Sequence, residues 1–306
     1  MKLLEITCRF AFNGYFQQAI FEQMSKDYLK VQRSNVATEH PYDELFGYLF
    51  PSISKYNKLI VLQGEDQKNE SKLIAPYLSK IGVELIRVPY QEASTLNANL
   101  ETSIILSELG FDEILAMEKS VLSRMIQHNF WNDLRTVFLI HDKRFFSVLY
   151  NDSFRKDVLS SQEDEFFKSF LLPSYNYAVG SDIWREARDN RSCWIMKSSS
   201  LGKSQGVYAG ALTSEEEWHQ LFASNAKEQM VLQKWVPTTR VSGTIGSQKY
   251  HDYLTGTLLF LDDQYFGLGE FRTSSYPITN KVDHRKAFSV TLRETVEPDF
   301  QYLKFI

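Results

Sequence analysis

Two short apolar runs separated by a helical segment constrain the fold more than any other feature of this sequence. KLIVLQG (58–64) and VELIRVP (83–89) read as strands, and SKLIAPYLSKIG (71–82) has the apolar spacing of a helix. Gly82 stands at the end of that helix, where a C-cap glycine is expected. A strand, a crossover helix and a second strand in this order predict a βαβ unit with a parallel pair of strands.

The flanking segments extend this alternation less regularly. Residues 1–10 read as a strand, and Tyr15–Gln32 spaces its apolar residues as an amphipathic helix does. A second cycle has a strand at SIILSELG (103–110), a helix through Gln127 and another strand at TVFLI (136–140). The first half of the chain is therefore expected to contain an α/β domain with a partly parallel sheet.

From Cys193 onward the pattern changes to strands joined by glycine turns. Three strands are expected, at CWIMK, VYAGAL and MVLQKWV, and LDDQYFG has a turn between apolar runs that predicts a hairpin. Thr213 and Glu216 form a capping-box pattern that starts a helix between these strands. This part reads as an antiparallel α+β region, so the predicted fold class is α/β and α+β.

Composition excludes several classes of protein. The 306 residues carry a net charge of −4 with scattered basic side chains, which argues against a nucleic-acid surface. No apolar run approaches the roughly 20 residues of a membrane span, so no membrane association is expected. Cys8 and Cys193 lie in apolar runs without metal-ligand spacing and are predicted to be buried free thiols. These observations predict a cytoplasmic protein, with a homodimer as the default assembly.

The loop SSSLGKSQG (198–206) follows a strand that ends in Lys197 and precedes a return strand. Such a loop can close over phosphates, because glycines let the backbone approach an anion and serines and amides donate hydrogen bonds. The plain alternative is a surface hairpin loop, for which serine and glycine are ordinary residues. The loop lacks the P-loop pattern GxxxxGK[ST]. Its candidate ligand-binding residues are Ser199, Ser200, Gly202, Lys203, Ser204 and Gly206.

Neighbouring segments strengthen the nucleotide hypothesis. MVLQKWVP is an apolar strand that ends in Gln233–Val236, with Lys234 and Trp235 between them, and is typical of an adenine-binding hinge. Upstream, HDKRFF places Lys143 at the start of a helix, and downstream Arg272 lies on a strand.

The order of these pieces resembles the ATP-grasp superfamily. HDKRFFSVL, LLPSY, WIMKSSSLGKSQGV, TSEEEW and MVLQKWVP follow one another as the Lys helix, proline turn, Lys strand, small-residue loop, helix and hinge strand do in that family. The stretch TGTLLFLDDQYFGLGEFRTSSYPITN is more specifically similar to circularly permuted members of the glutathionylspermidine-synthase type. By this resemblance Lys143 and Lys197 contact ATP, Lys203 lies on the closing loop, Gln233 lies at the hinge and Arg272 stabilises charge at the transferred phosphoryl group.

Permutation implies that the metal-binding strand stands near the N-terminus. LLEITCRFAFNGY resembles that strand, which makes Glu5 a Mg²⁺ ligand, Arg9 a clamp for a substrate carboxylate and Asn13 a neighbour. In a strand, Glu5, Thr7 and Arg9 would share one face. The sequence departs from the family at Thr7, where a metal-binding Asn is usual, and the alternative is an ordinary polar edge strand. Candidates for a second acidic ligand are Glu270, Asp252, Asp262 and Asp263.

The resemblance implies a permuted ATP-grasp fold in three parts. They are a permuted segment of the catalytic domain (1–55), an α/β preceding domain (56–135) and the nucleotide-binding lobes (136–306). It also implies an ATP- and Mg²⁺-dependent ligase that joins a small-molecule carboxylate to an amine, of amino-acid or peptide type, through an acyl phosphate. The alternatives are a small-molecule kinase and a non-catalytic nucleotide-binding or scaffold protein with the same fold.

Overall fold

A computed structural model describes residues 2–10, 12, 14–31, 36–37, 42–66, 70–96, 100–178, 181–236, 238–283, 285–288 and 291–292. The helices are α1 (Tyr15–Val31), α2 (Tyr42–Ile53), α3 (Glu70–Leu73), α4 (Ala75–Lys80), α5 (Phe111–Ala116), α6 (Lys119–Met125), α7 (Arg135–Leu139), α8 (Phe145–Tyr150), α9 (Asp152–Val158), α10 (Ser161–Phe170), α11 (Asp182–Asp189) and α12 (Glu215–Ala223). Short 3-10 turns lie at Tyr90–Thr95, Leu100–Thr102, Arg191–Cys193 and Asn225–Gln229.

Among the described residues, the strands up to Lys234 are β1 (Val36–Ala37), β2 (Lys58–Gln63), β3 (Glu84–Pro89), β4 (Ser103–Glu108), β5 (Asn129–Phe130), β6 (Ser174–Asn176), β7 (Trp194–Ser198), β8 (Val207–Ala209) and β9 (Met230–Lys234). The remaining strands are β10 (Arg240–Ile245), β11 (Gln248–Thr255), β12 (Leu258–Leu261), β13 (Gln264–Leu268), β14 (Phe271–Ser274), β15 (Arg285–Ala287) and β16 (Thr291–Leu292). The fold is mixed α/β, with both parallel and antiparallel sheets.

The chain divides into two compact units. The first unit combines Met1–Cys8 with Arg135–Pro237, and the second unit combines Arg9–Leu134 with Thr238–Ile306. Each unit is therefore built from segments that are distant in sequence. The three-part division expected from the resemblance remains a prediction.

The second unit contains the predicted parallel sheet. Its strand order is β3-β2-β4-β5, and β2 pairs in parallel with both β3 and β4. The six residues of β4 are all buried, as expected for a strand covered on both faces. The core of this unit packs α1, α2 and α4 against the sheet through residues such as Phe16, Leu49 and Leu78. The βαβ prediction is confirmed.

The same unit carries antiparallel strands from the C-terminal part of the chain. Strands β10, β11, β14 and β15 form a four-stranded antiparallel sheet, and β12 pairs with β13 as a hairpin. Asp262 adopts a left-handed conformation (φ 51°) at the tip of that hairpin. The turn predicted at LDDQYFG is confirmed.

The first unit is organised around an antiparallel sheet of order β6-β9-β7-β8. One core cluster of buried residues contains Trp184, Trp194, Trp218, Met196 and Leu232. Two of these tryptophans also satisfy their indole N–H groups, because Trp184 donates to the Asn176 carbonyl and Trp218 donates to the Ala187 carbonyl.

Several predictions of secondary structure are wrong. The strand predicted over residues 1–10 is absent among residues 2–10, where one isolated β-bridge joins Leu3 to Leu171. TVFLI is helical (α7), and the strand that follows β4 in the sheet is Asn129–Phe130. A short apolar run does not distinguish a buried helix from a strand by itself, which explains the error at TVFLI.

Capping and cysteine burial also differ from expectation. The N-cap of α12 is Ser214, whose side chain accepts from the Glu217 amide, whereas Thr213 donates to the Ala209 carbonyl. Cys8 is half-buried and Cys193 is exposed, so the prediction of two buried thiols is wrong, although both are free. Within the described part of the chain, no helix has the length and apolarity needed to cross a membrane.

Candidate functional site

Lys197 lies in the first unit on β7, next to the central strand β9. Its ammonium donates hydrogen bonds to the Gln233 side-chain oxygen (2.8 Å) and to the Leu4 carbonyl (3.1 Å). Residue 195 pairs with residue 233 across the two strands, so Lys197 is the diagonal neighbour of Gln233 on the same face. The strand register therefore brings these two side chains together.

Lys143 provides a second ammonium beside the same segment. Its side chain is 5% exposed, and its Nζ donates to the Leu201 carbonyl (2.7 Å) and lies 3.5 Å from Glu5 Oε1. Lys143 precedes α8 by two residues, so its position just before a helix agrees with the sequence prediction. The N-terminal segment thus meets both lysines, through the Leu4 carbonyl at Lys197 and the Glu5 carboxylate at Lys143.

The electrostatic setting of Lys197 is unfavourable for its own charge. Burial of the ammonium lowers the pKa of Lys197 to about 8, Glu5 opposes that change, and the positive charge of Lys143 reinforces it. The two hydrogen-bond acceptors of Lys197 are neutral, and Glu5 is the carboxylate that acts on both lysines. Two ammonium groups and one carboxylate leave an excess of positive charge, which is the condition for binding an anion.

The loop after β7 turns back sharply to reach β8. Ser198 N donates to the Gly206 carbonyl (2.8 Å), and Lys197 pairs with Val207 across the two strands. Lys203, Ser204 and Gly206 all have positive φ (53°, 62° and 62°). A Cβ on Gly206 would lie 2.7 Å from Ser198 Cβ, so this position requires glycine on two grounds. Clustered left-handed residues are a feature of functional loops.

The serines and the other glycine of the loop have different settings. Ser199 is buried, its N–H donates to the Gln229 carbonyl (2.9 Å) and its carbonyl accepts from the Lys143 N–H (3.0 Å). Ser200 is half-buried. Gly202 has no positive φ and has room for a side chain, so neither conformation nor space demands glycine there. Lys143 thus donates two hydrogen bonds to the loop, one from its backbone N–H to the Ser199 carbonyl and one from its ammonium to the Leu201 carbonyl.

The segment predicted as an adenine hinge makes backbone hydrogen bonds within the first unit. The backbone N–H of Lys234 donates to the Pro173 carbonyl (3.0 Å), and that of Trp235 donates to the Cys193 carbonyl (2.8 Å). The Lys234 ammonium lies 3.7 Å from the centre of the Trp194 ring and 3.4 Å from Glu186. These two N–H groups therefore bond within the unit itself, and the adenine-binding role of Gln233, Lys234, Trp235 and Val236 stays a prediction. Val236 is half-buried next to them.

Arg9 and Arg272 belong to the second unit, and each has an acidic partner there. Arg9 forms an ion pair with Asp66 (2.8 Å) and packs over Phe10, and Arg272 lies 3.4 Å from Glu270. Glu5 and Arg9 fall in different units, so the prediction that they share one strand face is wrong. Asn13 lies outside the described residues.

The donor groups near Glu5 suit a metal ion poorly without another ligand. Among the described residues, no three His, Cys, Asp or Glu side chains are arranged to hold a metal ion. Glu5 is a single carboxylate with an ammonium as its partner. Mg²⁺ bound to a nucleotide takes most of its ligands from phosphates and water, and one or two carboxylates then complete the shell. Glu5 therefore fits a metal that arrives with phosphates.

The two backbone carbonyls that hold the lysines, of Leu4 and Leu201, were missed by sequence analysis. A carbonyl group carries no residue signature, and the pairing depends on segments that lie far apart in the chain. Proximity of the N-terminal segment to the lysines follows from the resemblance to a permuted fold, but not from any residue pattern.

A family model described as the AnkG N-terminal domain matches residues 1–139, less than half of the chain. No curated protein matches the sequence. Two solved structures are similar to 69% and 73% of the chain: D-alanyl-alanine synthetase A from Vibrio cholerae (14% identity, TM-score 0.37, 68% of that chain) and D-alanine–D-alanine ligase from Bacillus anthracis (10% identity, TM-score 0.39, 72% of that chain). At these TM-scores the similarity carries no argument about activity.

Proposed function

We propose that the first unit binds ATP, with its phosphates at Lys143, Lys197 and the loop 198–206. The observation that carries this proposal is the convergence of two ammonium groups, of the buried Lys143 and the half-buried Lys197, on one segment with Glu5 as their shared carboxylate. Buried charges of one sign are costly unless an opposite charge is near. A polyphosphate supplies that charge, and the resemblance of the sequence motifs to ATP-grasp proteins identifies the nucleotide as ATP.

We further propose that the chain is an ATP-dependent carboxylate–amine ligase of the permuted ATP-grasp type. In this reaction a substrate carboxylate oxygen attacks the γ-phosphorus, and ADP leaves. The amine then attacks the carbonyl carbon of the acyl phosphate, and the tetrahedral intermediate expels phosphate as the amide forms. The first step brings two anions together and the second develops negative charge on the tetrahedral intermediate, so Lys143, Lys197 and Lys203 would offset the repulsion and the charge that develops.

The remaining site residues have roles that follow the same logic. Mg²⁺, when bound with ATP, would neutralise phosphate charge, and Glu5 is the carboxylate that would hold it. The loop 198–206 would exclude water that hydrolyses an acyl phosphate. The resemblance also assigns Arg272 to the transferred phosphoryl group and Arg9 to the substrate carboxylate, and both arginines lie in the second unit. Each arginine would first have to be released from its acidic partner, Glu270 or Asp66.

The nucleotide proposal is tested by calorimetry with a non-hydrolysable ATP analogue and Mg²⁺. The analogue should bind the unmodified protein, and Lys197→Met should abolish that binding while the circular dichroism spectrum stays the same. Lys227→Met is the matched control, because Lys227 lies in the same unit and its ammonium donates to the Phe222 carbonyl. Equal affinity of the Lys197→Met variant and the control would remove the central claim.

The ligase proposal is tested by phosphate release in the presence of amino acids and dipeptides. Release that requires both a carboxylate and an amine, with an amide product in equal amount, supports the ligase. A stable phosphorylated product with only one substrate indicates a kinase instead. Binding of the nucleotide with no turnover under any pairing indicates a non-catalytic nucleotide-binding protein.

A further inference from the structure

Ser174 lies directly opposite Gln233, on β6, which stands at one end of the described strand order β6-β9-β7-β8. The two residues are paired in the strand register, and their side chains are 1% and 2% exposed. The Gln233 side-chain nitrogen donates to Ser174 Oγ at 2.9 Å, and Ser174 Oγ donates to the Leu172 carbonyl at 3.0 Å. This serine belongs to LLPSY, the proline turn of the sequence resemblance, but the resemblance gives it no contact with ATP.

The chemistry of these groups gives the chain of hydrogen bonds one direction. The Leu172 carbonyl can only accept, so the hydroxyl hydrogen of Ser174 is committed to it. The Ser174 oxygen is then an acceptor, and it selects the NH₂ end of the Gln233 amide. The oxygen end of that amide must consequently face Lys197, where it accepts from the ammonium at 2.8 Å. A reversed amide would set NH₂ against NH₃⁺, two donors without an acceptor between them.

A glutamine side chain accepts a hydrogen bond from a lysine less dependably than a carboxylate does, unless the orientation of its amide is fixed. A carboxylate accepts at both oxygens, so either end could hold a lysine and a serine together. Gln233 presents an acceptor at one end alone, and the correct end faces Lys197 because Ser174 holds the other. The fixed amide keeps the Lys197 ammonium in place without adding a negative charge that would compete with phosphate.

We propose that Ser174 is a positioning residue for nucleotide binding, which acts through Gln233 to fix the Lys197 ammonium. This inference rests on the proposed function, because it concerns the lysine assigned there to ATP. Ser174 itself touches no phosphate. Without the Ser174 hydroxyl, Lys197 is unchanged, but the Gln233 amide that accepts from its ammonium can rotate.

The first measurement uses the unmodified protein without nucleotide. Solvent exchange of the Gln233 side-chain amide protons is followed by nitrogen-15 NMR, with Gln220, an exposed glutamine in the same unit, as the reference. The Gln233 protons should exchange at least about a hundredfold more slowly than those of Gln220, because a buried hydrogen bond must open before exchange. Exchange at the Gln220 rate would overturn the inference, and this result does not depend on whether any variant folds.

The second measurement is a double-mutant cycle on the affinity for the ATP analogue. Ser174→Ala should weaken binding about tenfold, as expected for one lost hydrogen bond that orients a charged contact. In a Gln233→Leu background the same change should have no further effect, because Ser174 acts only through the amide. Thr213→Val is the matched control, since it removes another buried hydroxyl from the unit, one that donates to the Ala209 carbonyl (2.9 Å).

The outcomes separate this inference from the proposed function. Additive losses in the cycle, or an equal loss in Thr213→Val, would contradict the positioning role while leaving the nucleotide site intact. If the unmodified protein binds no nucleotide, the proposed function fails, and the exchange rate of the Gln233 amide, compared between the unmodified protein and Ser174→Ala, still decides whether Ser174 holds it.

Discussion

Lys197 and Gln233 form a hydrogen bond of 2.8 Å across β7 and β9, in which a buried ammonium meets a neutral amide oxygen. A carboxylate at that position would stabilise the charge of Lys197, whereas the amide leaves its pKa lowered to about 8 by burial. The positive charge of this lysine is consequently available to a phosphate at neutral pH, but it disappears as the pH rises above about 8.

The first prediction is that nucleotide affinity depends on this ionisation. Below pH 8 Lys197 is charged and affinity should be independent of its titration, and above pH 8 affinity should fall by up to about tenfold per pH unit. Calorimetry from pH 7 to 9.5 measures the effect. Lys197→Arg should remove this pH dependence, because an arginine stays charged throughout the range. An unmodified protein with no fall above pH 8 would contradict the assignment.

The second prediction concerns stability in the same window. The pKa of Lys197 is about 8 when folded and near 10.4 in an unfolded chain, so the unfolded state binds more protons between these values. The penalty of the buried charge is therefore present in full below pH 8 and is relieved as pH rises.

Urea unfolding measures this change. From pH 8 to 10 the unmodified protein should gain up to about 1.4 kcal/mol per pH unit relative to Lys197→Met. Lys227→Met is the control for the loss of a lysine elsewhere in the same unit. A constant difference between the unmodified protein and Lys197→Met over this window would show that Lys197 keeps an ordinary pKa.

The third prediction compares the two glycines of the loop. Gly206→Ala should destabilise the first unit by about 2 kcal/mol, because alanine at a φ of 62° is strained and its Cβ would lie 2.7 Å from Ser198 Cβ. Gly202→Ala should change stability by less than about 0.5 kcal/mol, since it meets no atom within 4 Å. Urea denaturation followed by tryptophan fluorescence gives both values. Equal effects of the two substitutions would contradict the turn geometry.

The sequence predicts the parts of this molecule that depend on local patterns. The βαβ unit and the hairpin at Asp262 follow from apolar periodicity and turn residues, and both are confirmed. The order of the lysine-bearing segments also places Lys143 and Lys197 in one unit.

The failures arise where long-range contacts decide the outcome. TVFLI has the composition of a strand but packs as a helix, and the N-terminal segment makes one bridge, Leu3 to Leu171, in place of the predicted strand. Ser174 shows the same limit at the site. Its importance comes from lying opposite Gln233, 59 residues away, and residue type alone does not reveal that pairing.

The fourth prediction concerns a buried carboxylate in the second unit. Glu70 accepts hydrogen bonds from the N–H groups of Gly14 (2.7 Å), Phe16 (2.9 Å) and Gln17 (3.3 Å), so a distant residue caps the start of α1. Glu70→Ala should cost about 2–3 kcal/mol, because buried donors and the positive end of the helix lose their acceptor.

Hydrogen exchange of the α1 amides is the measurement, since it reports this helix separately from the first unit. Glu84→Ala is the control, because Glu84 forms an exposed pair with Lys58 (3.5 Å) that is worth at most about 1 kcal/mol. Unchanged protection of α1 in Glu70→Ala would show that the cap does not hold the helix.

The last prediction separates the two roles open to Glu5. Its carboxylate lies 3.5 Å from the Lys143 ammonium and is 38% exposed, so without a ligand it acts as a counter-ion to the lysines. Glu5→Gln removes that negative charge, and ATP without metal should then bind about threefold to tenfold more tightly, because phosphate no longer competes with the carboxylate. If Glu5 also holds Mg²⁺, the same variant should bind the Mg²⁺ complex of ATP more weakly than the unmodified protein does.

Calorimetry with and without Mg²⁺ gives both affinities, and Glu217→Gln, at an exposed position on α12, controls for a general change of charge. If Glu5 pairs with the lysines in the free protein and binds Mg²⁺ in the complex, Glu5→Gln must raise the affinity for metal-free ATP and lower the affinity for the Mg²⁺ complex. A gain under both conditions would leave Glu5 as a counter-ion alone and would place the metal ligands elsewhere in the protein.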